Sequence, residues 1–265
     1  MKILQWIAAL ICAIAAALFG LGHFYSRALI YHPTPTIVAP RLDGVTAVRI
    51  RTEDGESLVG WWLPPPQGGP VILYFDGNGG RPEMWSTRWE DIQDGGAGFL
   101  ALYYRGYSGS TGTPTEAGLN IDARAGYDWL IAQGYQPRDI VIHGFSLGSG
   151  VAVRLASERP ARALILEAPY TGIDDVAAAY YTPVAGWFIR DHFASRNYIG
   201  GVHMPLLVVH GDADGVVPFV QGERLFAMAN EPKQFVRIPG GGHPDLVDRG
   251  LYDQIWAFLE QYPGE

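Results

Sequence analysis

The chain has 265 residues, room for one large domain or two modest ones, and 48% are hydrophobic against 17% charged, which excludes a disordered polypeptide. A formal net charge of −8 argues against a general nucleic-acid binder, so no nucleic-acid partner is expected. The single cysteine, Cys12, rules out an internal disulfide framework and a cysteine-based zinc knuckle.

Residues 1–22 form the first unit. From Ile3 to Gly22 no side chain is charged, and as a helix this stretch reaches about 30 Å, the thickness of a bilayer's hydrocarbon core. The reading we favour is a transmembrane anchor, with a cleaved signal peptide and a buried helix as rivals. Ala15-Ala16-Ala17 would permit cleavage, yet Leu18 to Leu21 continues the apolar run. Lys2 before the span, with His23 and Arg27 after it, gives a slight positive-inside bias. The expectation is therefore a single-pass, membrane-anchored protein with its main domain outside the cytoplasm.

Residues 23–44 read as a lead-in, extended over Arg27 to Arg41, where three prolines fall. Val45–Arg51 and Leu58–Leu63 look like strands joined by the turn Glu53-Asp54-Gly55. From there strand, loop and helix alternate. The strands are Val71–Phe75, Phe99–Tyr104, Asp139–His143, Ala163–Leu166, Leu206–Val209 and Gln234–Ile238. The helices are Met84–Gln93, Glu116–Gln133, Leu147–Ser157, Val220–Met228 and Asp245–Leu259. Short apolar strands alternating with helices imply an α/β fold with a largely parallel sheet covered on both faces. Residues 45–265 make one such domain, with Thr171–Gly201 as a small helical lid-like insertion.

Gly144-Phe145-Ser146-Leu147-Gly148 is the sharpest motif. Small residues two before and two after a serine suit the tight strand-to-helix turn of a nucleophile elbow, and this one follows an apolar strand and opens a helix. A serine hydroxyl needs a base. His243, in a glycine-rich loop between a strand and the terminal helix, is the candidate. The base needs a carboxylate, and the segment His210-Gly211-Asp212-Ala213-Asp214 offers two. Asp214 is favoured because its loop has room to turn; Asp212 is the rival, and calcium ligation by the pair is a weaker reading. An acyl-transfer site also needs oxyanion donors. Leu147 N–H is the natural first, and the second is expected from Asn78, alternatively Gly79, in the loop after Val71–Phe75.

The segments YFDGNGG, YYRGYSGSTGTPTEAG, GFSLGSG, LILEAPYTGI, HGDADGVVPF and GGHPD, in this order from Tyr74 to Asp245, resemble the α/β-hydrolase superfamily. Among its members they are most like small, N-terminally anchored serine hydrolases related to protein depalmitoylases and their bacterial homologues. The resemblance implies Ser146 as nucleophile, Asp214 as acid, His243 as base and an oxyanion role for the loop after Gly77. It departs at Asp76, where such enzymes usually carry histidine. Asp76 is read as a positioning residue that supports catalysis only if its carboxylate turns away from the oxyanion. Tyr107 is read as a contributor to the substrate loop.

The expected activity is hydrolysis of an ester or thioester, its substrate lipidic if the anchor holds, by chemistry that requires no metal or organic cofactor. Two alternatives remain at this stage. One is a serine peptidase of prolyl-oligopeptidase type, for which the chain lacks room for a propeller domain. The other is a non-catalytic binding protein on the hydrolase fold, motivated by Asp76.

Overall fold

The computed structural model describes residues 2–264 except Pro35 and Pro183, with the side chains of residues 4, 8, 11, 14, 15, 18 and 21 also outside the described set. Eight strands form one sheet: β1 (Thr46–Arg51), β2 (Ser57–Leu63), β3 (Val71–Phe75), β4 (Gly98–Tyr103), β5 (Ile140–Phe145), β6 (Ala163–Glu167), β7 (Leu206–Gly211) and β8 (Lys233–Ile238). Their spatial order is β1-β2-β4-β3-β5-β6-β7-β8. β1 and β2 pair antiparallel and β2 pairs antiparallel with β4; every later pairing is parallel. This is the α/β-hydrolase fold. Every residue of β3 through β7 is buried, which is why these strands are continuous apolar runs rather than alternating ones.

The chain winds from β3 outward to β4, then returns to lay β5 on the other side of β3. That reversal opens a crevice at the carboxyl ends of β3 and β5, where ligands bind in open α/β sheets. The helices are α1 (Lys2–Ile30), α2 (Ser86–Asp94), α3 (Glu116–Ala132), α4 (Leu147–Ala156), α5 (Ile173–Tyr180), α6 (Phe219–Met228) and α7 (Leu251–Gln261). Thr115 caps α3 by accepting the Gly118 N–H at 3.0 Å.

Three expectations change. Among the described residues no helix is long and apolar enough to cross a membrane, which overturns the membrane-anchored, single-pass, extracytoplasmic reading. The apolar count over 3–22 treated the segment as a free rod. Instead it is the front of a 29-residue helix that carries His23, Ser26 and Arg27 and packs its later turns on the hydrolase domain. Gly22 lies against Phe188, and the Phe19 and Phe188 rings are 5.4 Å apart. Second, the lead-in is helical through Ile30; nothing before Pro33 prevents the helix from continuing. Third, the last helix starts at Leu251 rather than Asp245, because Gly250 adopts a left-handed φ of 82° that separates it from a short 3-10 turn at Val247–Arg249.

Candidate active site

Ser146 sits between β5 and α4 with φ 51° and ψ −119°, a strained conformation for a non-glycine residue. Its N–H is held by the carbonyl of Glu167 at the end of β6, 3.0 Å away. The flanking glycines are dictated by contact. A Cβ on Gly144 would lie 2.4 Å from the Gly148 carbonyl oxygen, and one on Gly148 would lie 2.1 Å from that of Phe75. The elbow thus exists only because α4 can lie directly on the end of β3.

Two loops at the same sheet end bring up partners. His243 Nε2 is 2.9 Å from Ser146 Oγ, and His243 Nδ1 is 2.7 Å from Asp214 Oδ2. An ionised carboxylate only accepts, so Nδ1 carries the proton and Nε2 presents its lone pair to the hydroxyl. An imidazole so oriented can take the serine proton. The loops after β7 and β8 are joined by backbone, with Ala213 N–H donating to the Gly241 carbonyl at 2.9 Å. Asp212, the rival carboxylate, is engaged elsewhere, by Arg237 at 2.8 Å and by the Gly240 N–H at 2.6 Å.

Asp214 is buried and accepts the N–H groups of Val216 and Val217, each at 2.8 Å. Burial alone would raise its pKa, but hydrogen bonds from His210 and His243 prevail and hold it well below the ordinary carboxylate range. His210, in β7 beside Gly211, is a further member of the site that the sequence pattern does not single out. It is fully buried, with Nε2 3.1 Å from the Val217 carbonyl and 3.4 Å from Asp214 Oδ2. It steadies the turn that carries Asp214, and its place before Gly211 in an apolar strand was the signal available.

The loop after β3 faces the same point. Gly77 lies beside Ser146, and Asn78, Leu147 and Ser146 share one cleft. Leu147 opens α4, so its N–H has no intrahelical acceptor. Among the described residues no acceptor meets the N–H of Asn78 or Gly79. Asp76 is turned back from this opening: Oδ1 accepts the Gly77 N–H at 2.7 Å and Oδ2 accepts Trp85 Nε1–H at 2.9 Å. Burial pushes its pKa up to about 6 despite these bonds and nearby Arg88. Tyr107 supports this loop from behind and is not among the residues lining the cleft. It is buried, and its hydroxyl donates to the Asn78 carbonyl at 2.7 Å, fixing the peptide that joins Asn78 to Gly79.

Behind the serine is a buried ion pair that sequence reading missed. Arg88 donates to both oxygens of Glu167, at 2.9 and 3.1 Å. Burial would raise the Glu167 pKa, yet Arg88, with His143 3.3 Å from the same carboxylate, brings it down to about 2. A glutamate ending the apolar run Ala163–Glu167 is the clue that a buried cation had to exist.

The insertion at 171–201 holds α5 and short 3-10 turns. Tyr180 donates to the Gly215 carbonyl at 2.8 Å, tying α5 to the Asp214 loop, while Trp187 is 70% exposed and Phe188 packs on α1.

Residues 120–265 match the prolyl oligopeptidase family. The chain belongs to that family. Within the α/β-hydrolase superfamily it is thereby a hydrolase. Its relatives include an uncharacterized protein of Mycobacterium tuberculosis, 38% identical over 96% of this chain and 94% of that protein. The lysophosphatidylserine lipase of Danio rerio is 34% identical over 62% of this chain but only 48% of its own length. An esterase of Pyrococcus furiosus shares the fold with a TM-score of 0.71 at 22% identity, over 89% of this chain and 99% of that one. An α/β-hydrolase from Vibrio vulnificus superposes with a TM-score of 0.70 at 25% identity, over 82% of each chain.

Proposed function

We propose that the protein is a serine hydrolase that cleaves a carboxylic ester or thioester through an acyl-enzyme. The observation that carries this reading is the continuous line Ser146 Oγ, His243 Nε2, His243 Nδ1, Asp214 Oδ2, with successive contacts of 2.9 and 2.7 Å. Ser146 attacks the acyl carbonyl as His243 takes its proton. The N–H groups of Leu147 and Asn78, or Gly79 in place of the latter, receive the negative charge on the tetrahedral oxygen. His243 then protonates the leaving group, and water activated by the same base frees the acid. Asp214 stabilises the imidazolium without itself taking the proton. Residues 45–265 act as one catalytic domain, with 171–201 as its lid.

Esters are favoured over peptides by the lipase and esterase relatives. Family membership keeps amide hydrolysis of the prolyl-oligopeptidase kind as the second reading. The test is labelling by a fluorophosphonate probe, followed by hydrolysis of p-nitrophenyl esters, acyl thioesters and peptide amides. Labelling and ester turnover present in the wild type and absent in folded Ser146→Ala are expected. A folded wild type that neither labels nor turns over any ester would overturn the proposal, and faster turnover of amides would select the second reading.

A further inference from the structure

One wall of the cleft beside Ser146 comes from the far N-terminal part of the chain. The cleft measures about 150 Å³. Leu29 and Ile30, from the last turn of α1, line it together with Ile173 and Val176 of α5 and Val216 and Val217 of the Asp214 loop. No residue around it carries a charge, and its volume is roughly that of five waters. His243 is not among its lining residues. The leaving group must lie beside the imidazole that protonates it, so the cleft lies where the other half of the substrate, the acyl group, would extend from the carbonyl carbon.

The wall is fixed relative to the reacting atoms. Arg27 donates from Nε and Nη2 to the two oxygens of Asp191, at 2.8 and 3.1 Å, and the Tyr31 hydroxyl meets the same buried carboxylate at 2.9 Å. Two residues after Ile30, the His32 N–H reaches the Asn78 carbonyl at 3.3 Å and the Tyr107 hydroxyl at 3.1 Å. The segment 27–32 therefore touches both the apolar cleft and the loop carrying the open N–H groups of Asn78 and Gly79.

We propose that this cleft is the acyl-chain subsite and that the end of α1 sets its depth, which makes the substrate an ester or thioester of a short, uncharged aliphatic acid. The inference rests on Ser146 being the nucleophile. Each methylene accommodated in an apolar site adds about fourfold to kcat/KM until the wall is met, after which the gain stops or reverses.

The experiment measures kcat/KM for p-nitrophenyl acetate, butyrate, hexanoate, octanoate and decanoate with the full chain and three variants. Wild type is expected to peak among the shorter esters. Ile30→Ala should move the peak about two methylenes longer. Leu29→Trp and Val176→Phe, which fill the same space, should move it shorter; Leu29 is 73% exposed, so its variant keeps the test alive if Ile30→Ala fails to fold. Ser146-dependent hydrolysis that favours decanoate in the wild type, or whose chain-length profile is unmoved in the folded variants, would overturn the inference while leaving the serine hydrolase standing. Absence of Ser146-dependent hydrolysis of every ester would overturn the underlying reading instead.

Discussion

Asp214 and Asp76 are two buried carboxylates within one residue's reach of the reacting atoms, and the protein treats them oppositely. Asp214 is held well below the usual carboxylate pKa, whereas Asp76 is pushed up to about 6. Burial disfavours both ionised forms, so the difference lies in what compensates it. Asp214 accepts two backbone N–H groups and the His243 imidazole, with His210 beside it. Asp76 accepts one backbone N–H, one indole N–H and a long hydrogen bond from the Tyr74 hydroxyl at 3.4 Å, and feels the negative charge of Glu167 as well as the positive charge of Arg88. A carboxylate on which the proposed chemistry depends is fully paired; one that only shapes a loop is left close to its titration point.

Breaking the paired side should have the largest effect. Asp214→Asn keeps the shape but can hold the imidazole in the wrong tautomer, so kcat for ester hydrolysis should fall about 10⁴-fold in a variant that still folds. A folded variant losing less than tenfold would mean that the carboxylate does not orient His243. Next in size is Arg88→Met. It strands Glu167 in the interior without its partner, and urea denaturation at neutral pH should show a loss of about 3–5 kcal/mol. The same change removes a charge that favours ionised Asp76, so it widens the contrast between the two aspartates. An unaltered unfolding midpoint would show that Glu167 has another source of compensation.

The two aspartates also mark the limit of what the sequence discloses. Ser146, Asp214 and His243 each stand in a short local pattern, a serine between close-packed glycines, a polar turn after an apolar strand and a histidine in a glycine loop. The alternation of apolar strands with helices gave the sheet for the same reason: burial on both faces writes itself into consecutive residues. The partners of Asp76 were less accessible, because Trp85 Nε1 reaches it from the start of another element. Least legible was the N-terminal wall. Its contacts join residues 27–32 to Asn78, Tyr107 and Asp191, and neither side carries a periodic or motif-level trace of the other. An apolar helix end looks the same in sequence whatever it packs against, which is how Leu29 and Ile30, read as part of the lead-in, proved to line the cleft.

The unpaired side of the comparison yields a smaller effect with a distinctive pH dependence. The folded pKa of Asp76, about 6, is above its ordinary 3.8, so folding favours the protonated acid. Its contribution to stability is complete below about pH 4 and is lost as pH rises through 6, amounting to roughly 3 kcal/mol by pH 8. Asparagine at this position is neutral throughout. Its amide oxygen can still accept the Gly77 N–H, but its NH₂ group cannot accept the indole N–H of Trp85. The Asp76→Asn variant should therefore be less stable than wild type at pH 4 and gain on it steadily toward pH 8. Urea denaturation at the two pH values measures this directly. A stability difference that does not change with pH would mean that Asp76 stays ionised across the range, its burial compensated as fully as that of Asp214.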